Sequence, residues 1–570
     1  MRISVTLLIL AACLPAGAVD ELIGLWGSRV VIPPAYRGSI SITELDDGVH
    51  ELCVDGRCDR WRWDEVEGDT HRFELSDVGT VVTQRDGTTH WIQPPASTYQ
   101  GWATPIRMEQ IGKRRGGTVE PYEERRTFYL KVQRQEDDSI YAFVRNPERN
   151  FGNGMFDRIA LDGRRITFLN EEGEVVTEGR LAEDGQSLTM NMFWYGTVEM
   201  QRLDEGAAAI GFDTRTRHAG APRMQRPWPD EDWEVADIDA VGLDVAPITA
   251  LFERIANFEI PHVYAAAVHA LLVARDGKLV FEEYFAGYDA SMPHDTRSAG
   301  KSIGAVLAGA IGVDPKTKLC DSVDWAEKQC EADPRRARIT LEHLITMSPG
   351  IACDDDDMES PGNEGAMQNQ SEQPDWYRYI LDVPMAHEPG EHDAYCSAGI
   401  NLSGAILSAE GGAEVYQLFD RYLARPLGIE HYHMNLDPVG HGYLGGGIRL
   451  RPRDMLKFGE LMRTGGLWKG ERILPEAWVE ASTAPHSSLN EENDYGYAWW
   501  RQTIEVEGRP VETYYASGNG GQMLFVIPEF DMTVLFMGGN YGNYGTWRHF
   551  RDLYLADYIL KAALPSEAEK

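Results

Sequence analysis

Apolar and polar positions alternate in short runs through residues 20–205, as in His50-Glu51-Leu52-Cys53-Val54 and Thr127-Phe128-Tyr129-Leu130-Lys131-Val132. A period of two turns one side of each run inward and the other to water, the pattern of half-buried strands. Asp-Gly pairs punctuate these runs at 47–48, 55–56, 86–87, 162–163 and 184–185. Asp-Gly supplies the positive-φ residues that tight hairpin turns need. Short strands with repeated turn signals predict an all-β region, sandwich or barrel, over 20–205. Asn146-Pro147-Glu148-Arg149-Asn150-Phe151-Gly152 reads as a polar surface turn that could contact a substrate. Residues 206–238 change character, with an Ala-rich start and then Pro222, Pro227 and Pro229 among charges. This reads as a linker, with Trp228 and Trp233 available to pack it onto a domain.

From residue 239 the pattern mixes periods. A helix is predicted over 247–258, followed by a hairpin in which Asp276-Gly277 joins His269–Arg275 to Lys278–Tyr284. Ile303, Val306, Leu307, Ala310 and Ile311 recur at helical spacing, and the middle of this region is largely helical. Strand-like runs return at 496–502, 511–516, 522–527 and 532–537, and a helix over 553–562 closes the region. Strands at both ends with helices between predict one antiparallel sheet built from both ends of residues 239–565.

Length and charge narrow the picture. A chain of 570 residues exceeds one ordinary core, so an α+β multidomain protein is expected. Its 43% hydrophobic content supports folding rather than disorder. With 54 Lys and Arg against 90 Asp and Glu, the net charge of −36 would repel nucleic acid and anionic lipid. Met1-Arg2, the apolar stretch Ile3–Leu14 and the small residues Ala16 and Ala18 read as a secretory signal over 1–18. Export, periplasmic or secreted, follows. Leu10-Ala11-Ala12-Cys13 also matches a lipobox, which would instead leave Cys13 lipidated. No other stretch approaches the ~18 apolar residues of a spanning helix.

Export permits disulfides, and six cysteines follow Cys13. Cys53 and Cys58 flank an Asp-Gly turn and face each other as a close cross-strand pair. Cys320 and Cys330 are the next local pair, and elimination leaves Cys353 with Cys396.

The sharpest chemical signal is Ser298-Ala299-Gly300-Lys301 at the start of the Ile303–Ile311 helix. Positions i and i+3 share a helix face, so the amine can reach the hydroxyl and take its proton. The bland alternative is a serine N-cap with an exposed lysine one turn later. Tyr395-Cys396-Ser397 lies 97 residues beyond Ser298, and Ser517-Gly518-Asn519 precedes another apolar run.

Three constellations in this order resemble the serine β-lactamase and penicillin-recognising family, closest to its class C and esterase-like branch. The resemblance covers roughly 240–565 and implies an antiparallel sheet flanked by helices, a helical subdomain and an active site between them. It implies Ser298 as nucleophile, Lys301 as its base and Tyr395 as the group that passes protons to the leaving group and deacylating water. Ser397, Ser517, Gly518 and Asn519 would bind substrate. Ser397 stands where the family often has asparagine, and can hydrogen-bond the lysine or the substrate. The backbone N–H groups of Ser298 and Asn519 would form the oxyanion hole. Ala516 stands where the family usually carries a cation. That loss lowers the case for β-lactam or peptide carboxylates and favours esters or neutral amides. Gly445-Gly446-Gly447 is expected to be a structural landmark. Gly24-Leu25-Trp26-Gly27 resembles the first strand of lipocalin-type barrels, with Trp26 read as a core anchor.

No metal, nucleotide loop or cofactor is read. The run Asp354–Asp357 lacks the spacing of a chelating loop and reads as an exposed acidic loop beside the cleft. His431-Tyr432-His433 lacks a third ligand at suitable spacing. The sequence therefore predicts an exported serine hydrolase acting on small ester or amide substrates through a Ser-Lys-Tyr acyl-enzyme. The alternatives are a D,D-peptidase or β-lactamase, and a penicillin-sensor-like binding protein without catalysis.

Overall fold

The computed structural model describes residues 20–565 apart from 33–35, 67, 76–77, 95–100, 137, 150–153, 157, 193–195, 204–223 and 258–265. The expected signal 1–18 with Cys13, most of the expected linker, and Asn150–Gly152 of the polar turn lie outside the described residues.

The N-terminal region is all-β. Nine antiparallel strands form a nearly closed, barrel-like sheet whose two edge strands, Gly154–Phe156 and Arg158–Asp162, are near neighbours in sequence. Trp26 is fully buried in its core, donates through its indole N–H to the Leu22 carbonyl at 2.9 Å, and is covered by the Arg202 guanidinium. It is a core anchor, as expected. A five-stranded sheet carries the Cys53–Cys58 hairpin, in which the two cysteines pair directly and form a disulfide.

A third sheet joins this region to the rest. Strand β1 (Gly101–Pro105) pairs antiparallel with β2 (Tyr432–Leu436), so residues 70–105 continue into strands from the second half. Arg107 reinforces the seam by donating to the Asp420 carboxylate and to the Ile429 carbonyl, each at 2.7 Å.

The second half holds the sheet that the pattern predicted. Val268–Arg275 pairs with Lys278–Tyr284 around Asp276 and Gly277, both at positive φ, and on its other side with Met532–Gly538. The sheet continues through Gln522–Ile527 to β3 (Arg509–Gly518) and outward to Trp500–Val506. Thus strands from both ends of the region meet at its centre. The run expected as a strand from 496 becomes extended only at Trp500. Gly496 lies against the Ser482 carbonyl, where a Cβ would come within 2.1 Å, and Ala498 is at φ 58. Helix α1 (Ala299–Ile311) is almost wholly buried, and α2 (Ser397–Gly411) packs beside it. The predicted first helix spans Val245–Ala256, capped by Asp244. Among the described residues no helix is long and apolar enough to cross a membrane.

Candidate active site

Ser298 begins α1, and its hydroxyl makes no capping bond to the helix. Lys301, one turn on, is 1% exposed. Its Nζ lies 2.8 Å from Ser298 Oγ and 2.5 Å from the Gly445 carbonyl oxygen. Both observations oppose the capping reading, which requires a bonded serine and an exposed lysine. Tyr395 reaches the pair from the turn before α2: Lys301 Nζ sits 4.9 Å from its ring centre, and Trp500 stacks on the ring at 5.7 Å. The hydroxyl, amine and phenol ring named from sequence are therefore gathered.

The other predicted residues distribute as follows. Gly518 ends β3 against the turn that carries Ser298, where a Cβ would lie 2.3 Å from the Thr296 carbonyl and 3.1 Å from the Ala299 nitrogen. Only a glycine permits that approach. Asn519 lines the same cavity as Ser298, and its Oδ1 accepts from the Gly542 N–H at 2.8 Å. Ser517 pairs with Met523 in the sheet and is half-buried. The Ser397 hydroxyl is buried and meets no hydrogen-bond partner among the described residues, so the bond to Lys301 that sequence allowed is not made. The disulfide Cys353–Cys396 ties the acidic loop to the Tyr395 turn, and Cys320–Cys330 closes the third pair.

Residues 260–540 match the family described as Beta-lactamase. The second half of the chain belongs to the β-lactamase-related serine hydrolases. A curated relative, the 6-aminohexanoate-dimer hydrolase of Paenarthrobacter ureafaciens, is 24% identical over 315 residues, which are 51% of this chain and 77% of that protein. Among solved structures, a putative 6-aminohexanoate-dimer hydrolase from Bacillus anthracis aligns at 18% identity and TM-score 0.46, covering 60% of this chain and 92% of that one. A family VIII carboxylesterase aligns at 15% identity and TM-score 0.42, covering 55% and 99%.

The β-lactamase-family site also uses residues that sequence reasoning read otherwise. Gly445, read as a structural landmark, also contacts the lysine directly, its carbonyl accepting from Lys301. Gly446, at φ 152, passes close to the Arg297 main chain, where a Cβ would sit 3.0 Å away. Asp355 of the acidic run is not simply exposed. Its carboxylate accepts from the Ser397 and Glu364 N–H groups, each at 2.8 Å, and its own N–H donates to the Tyr395 carbonyl. It holds the Tyr395 turn from both sides. The polar turn from Asn146 is buried at its base: Asn146 is 4% exposed, and the Pro147 carbonyl lies 2.8 Å from His269 Nε2.

Ser298 opens into a cavity of about 780 Å³ lined from both halves of the molecule, by Trp102, Tyr122 and Arg149 on one side and by Asn519 and Tyr541 on the other. Asp295 sits at its floor. Burial pushes this carboxyl up, but the Arg297 and Arg449 charges outweigh it and hold it at about 2. Motifs named from the sequence supply part of its lining, namely Ser298, the triple glycine, Asn519 and, from the polar turn, Asn146, Glu148 and Arg149, but their convergence is not encoded locally because they lie hundreds of residues apart.

The histidines of the 431–433 run have different partners. His431 pairs with Glu120, whereas His433 turns inward and meets the Thr104 hydroxyl at 2.9 Å. Outside the cavity, Asp375, Asp437 and His441 place ligand-type atoms within 4.8 Å of one another. Their oxygens are already engaged. Asp375 caps the Arg378 N–H, and Asp437 accepts from the Val439, His441 and Trp376 N–H groups. This cluster reads as loop capping.

Proposed function

We propose that the protein is an exported serine hydrolase that cleaves carboxyl esters or small amides through an acyl-enzyme on Ser298. The observation that carries this reading is the buried Lys301 amine at hydrogen-bond distance from an uncapped serine hydroxyl. Lys301 Nζ bridges the Ser298 hydroxyl and the Gly445 carbonyl, donating to the latter. Lys301 then accepts the serine proton as Oγ attacks the substrate carbonyl. The N–H groups of Ser298 and Asn519 stabilise the oxyanion, a contribution of about 3 kcal/mol per donor in comparable sites. Tyr395, against the amine, relays that proton to the leaving group and later helps activate the deacylating water. Three disulfides among the described residues favour an oxidising compartment.

Ser298→Ala is expected to abolish turnover of 4-nitrophenyl butyrate and to remove labelling by a fluorophosphonate probe, read by intact mass. Retention of wild-type turnover would refute the nucleophile. The peptidase or β-lactamase alternative predicts labelling by a fluorescent penicillin. The absence of a family-type cation at Ala516 weighs against it.

A further inference from the structure

The family position that usually supplies a cation holds Ala516, yet the cavity at Ser298 is rich in guanidinium groups. Arg297 precedes the nucleophile directly, Arg449 follows the triple glycine, and Arg149 comes from the N-terminal region; all three line the cavity with Ser298 and Asn519. Arg297 and Arg149 approach the Tyr541 ring, with Cζ at 5.0 and 5.8 Å from its centre. Arg449 lies 4.4 Å from the Tyr122 ring and 5.2 Å from Trp102. A guanidinium held over a ring keeps its N–H fork free in its own plane, the geometry that grips a carboxylate.

The acidic groups of the cavity are mostly spoken for. Glu123 pairs with Arg37, Glu124 with Arg126, and Glu148 with Arg125 and the Thr127 hydroxyl, while Glu364 accepts the Tyr443 hydroxyl. Asp295 alone is shared between Arg297, at 3.1 Å, and Arg449, at 3.4 Å. The Glu364 carboxylate also acts on Arg297, so Asp295 and Glu364 balance Arg297 and Arg449, and the Arg149 charge is the surplus. In a chain of net charge −36 that is a local inversion. Two further observations mark the site. The Arg449 Nε is buried with no hydrogen-bonded acceptor among the described residues, whereas the Arg297 Nε lies 3.1 Å from the Asp295 carboxylate. Arg297 also holds a left-handed backbone, φ 48, immediately before the nucleophile. A non-glycine residue pays for that conformation, and such strain concentrates at functional sites.

The direction of the substrate follows from which residues line the cavity. Tyr395, which would serve the leaving group, lies against Lys301 and is not part of the arginine-lined wall. The leaving group therefore departs on the tyrosine side, and the acyl chain extends toward the arginines. We propose that Arg149, Arg297 and Arg449 form a subsite for a carboxylate at the far end of the acyl chain, so that the N-terminal region takes part in choosing the substrate. This rests on Ser298 being the nucleophile, and it replaces the expectation of uncharged substrates drawn from Ala516.

The test compares two esters that differ only at the chain end: 4-nitrophenyl hexanoate and the 4-nitrophenyl half-ester of adipic acid. At low salt, kcat/KM for the half-ester should exceed that for hexanoate by about tenfold or more, as one charge-assisted contact allows. The preference should shrink as sodium chloride is raised. Arg149 is exposed, so its replacement leaves the fold intact. Arg149→Gln should lower the half-ester to hexanoate ratio by about tenfold, mainly through KM, and Arg149→Lys should restore most of it. A wild-type ratio near one, or a ratio unmoved by Arg149→Gln, overturns the subsite while Ser298-dependent turnover of hexanoate upholds the hydrolase. If neither ester is turned over and Ser298 takes no fluorophosphonate, both readings fall together.

Discussion

At the scale of single residues, the decisive contrast is between a capping serine and a reactive one. Both occur at the first turn of a helix, and the letters Ser-Ala-Gly-Lys suit either. Here the hydroxyl leaves the helix N–H groups alone and turns to Lys301, which has lost nearly all contact with water. A lysine buried for packing alone would be a poor choice, since desolvating an amine is costly and an apolar side chain fills the same space. Lys301→Met tests this. It keeps the volume and removes the amine. Turnover of 4-nitrophenyl butyrate should fall by about 10³-fold, within the range for loss of a general base. The thermal midpoint should stay within about 5 °C of wild type, because a shift of that size corresponds to only a few kcal/mol. A variant that keeps more than a tenth of the activity would remove Lys301 from the mechanism.

At the scale of elements, the site depends on how closely β3 approaches the start of α1. Gly518 sets that distance, with no room for a Cβ before the Thr296 carbonyl. Gly518→Ala should push the strand end and Asn519 away from Ser298. An ångström of displacement at an oxyanion donor costs on the order of 10²-fold in rate. The expected signature is a fall in kcat of that size with secondary structure retained by circular dichroism; an unchanged kcat would mean that Asn519 donates nothing to the oxyanion. Much at this scale was legible in the sequence, where the signal is local. Asp276-Gly277 encodes its hairpin, and Cys53 and Cys58 encode their register, because both follow from neighbours along the chain. What escaped has no local signature. Gly496 and Ala498 sit in an apolar, strand-like run, and the Ser482 carbonyl against Gly496 and the left-handed backbone at Ala498 delay the strand. Asp355 looks like one more acid in an exposed run until folding brings the Ser397 and Glu364 N–H groups to its carboxylate. The pairing of β1 with β2 joins positions more than three hundred residues apart, and alternation alone does not say which strand a partner will be.

At the scale of the whole molecule, the two halves meet across a seam built around buried histidines. His90 meets the Tyr432 hydroxyl at 3.0 Å, and His433 meets Thr104 at 2.9 Å. His269 contacts both the Pro147 carbonyl and His294, each at 2.8 Å. Burial is the main force on all four and drives them toward the neutral form. His90 and His294 fall to about 4, His433 to about 3, and His269 well below the ordinary value. For His90 the Asp420 charge opposes this fall while Arg107 and Arg425 assist it, and for His433 Arg449 assists it. The unfolded chain takes up protons near pH 6.5 that the folded chain refuses until about 4 or lower. Stability is therefore fully present above pH 6.5 and is lost as the pH falls through that window. Each histidine contributes a slope of about 1 kcal/mol per pH unit there. Because the four sit at the seam, acid should loosen the joint between halves before it melts either core. Hydrogen exchange at residues 101–105 and 432–436 should accelerate between pH 6.5 and 5, ahead of the central strands 532–538, and the thermal midpoint should drop over the same range. A midpoint flat from pH 7 to 5, or central strands that exchange as early as the seam, would show that these histidines do not hold the halves together. Since Trp102, Tyr122 and Arg149 wall the cavity from the N-terminal side, a loosened seam should also erode preference for the adipate half-ester before it erodes hydrolysis of 4-nitrophenyl butyrate, whose uncharged chain offers the arginines nothing to grip.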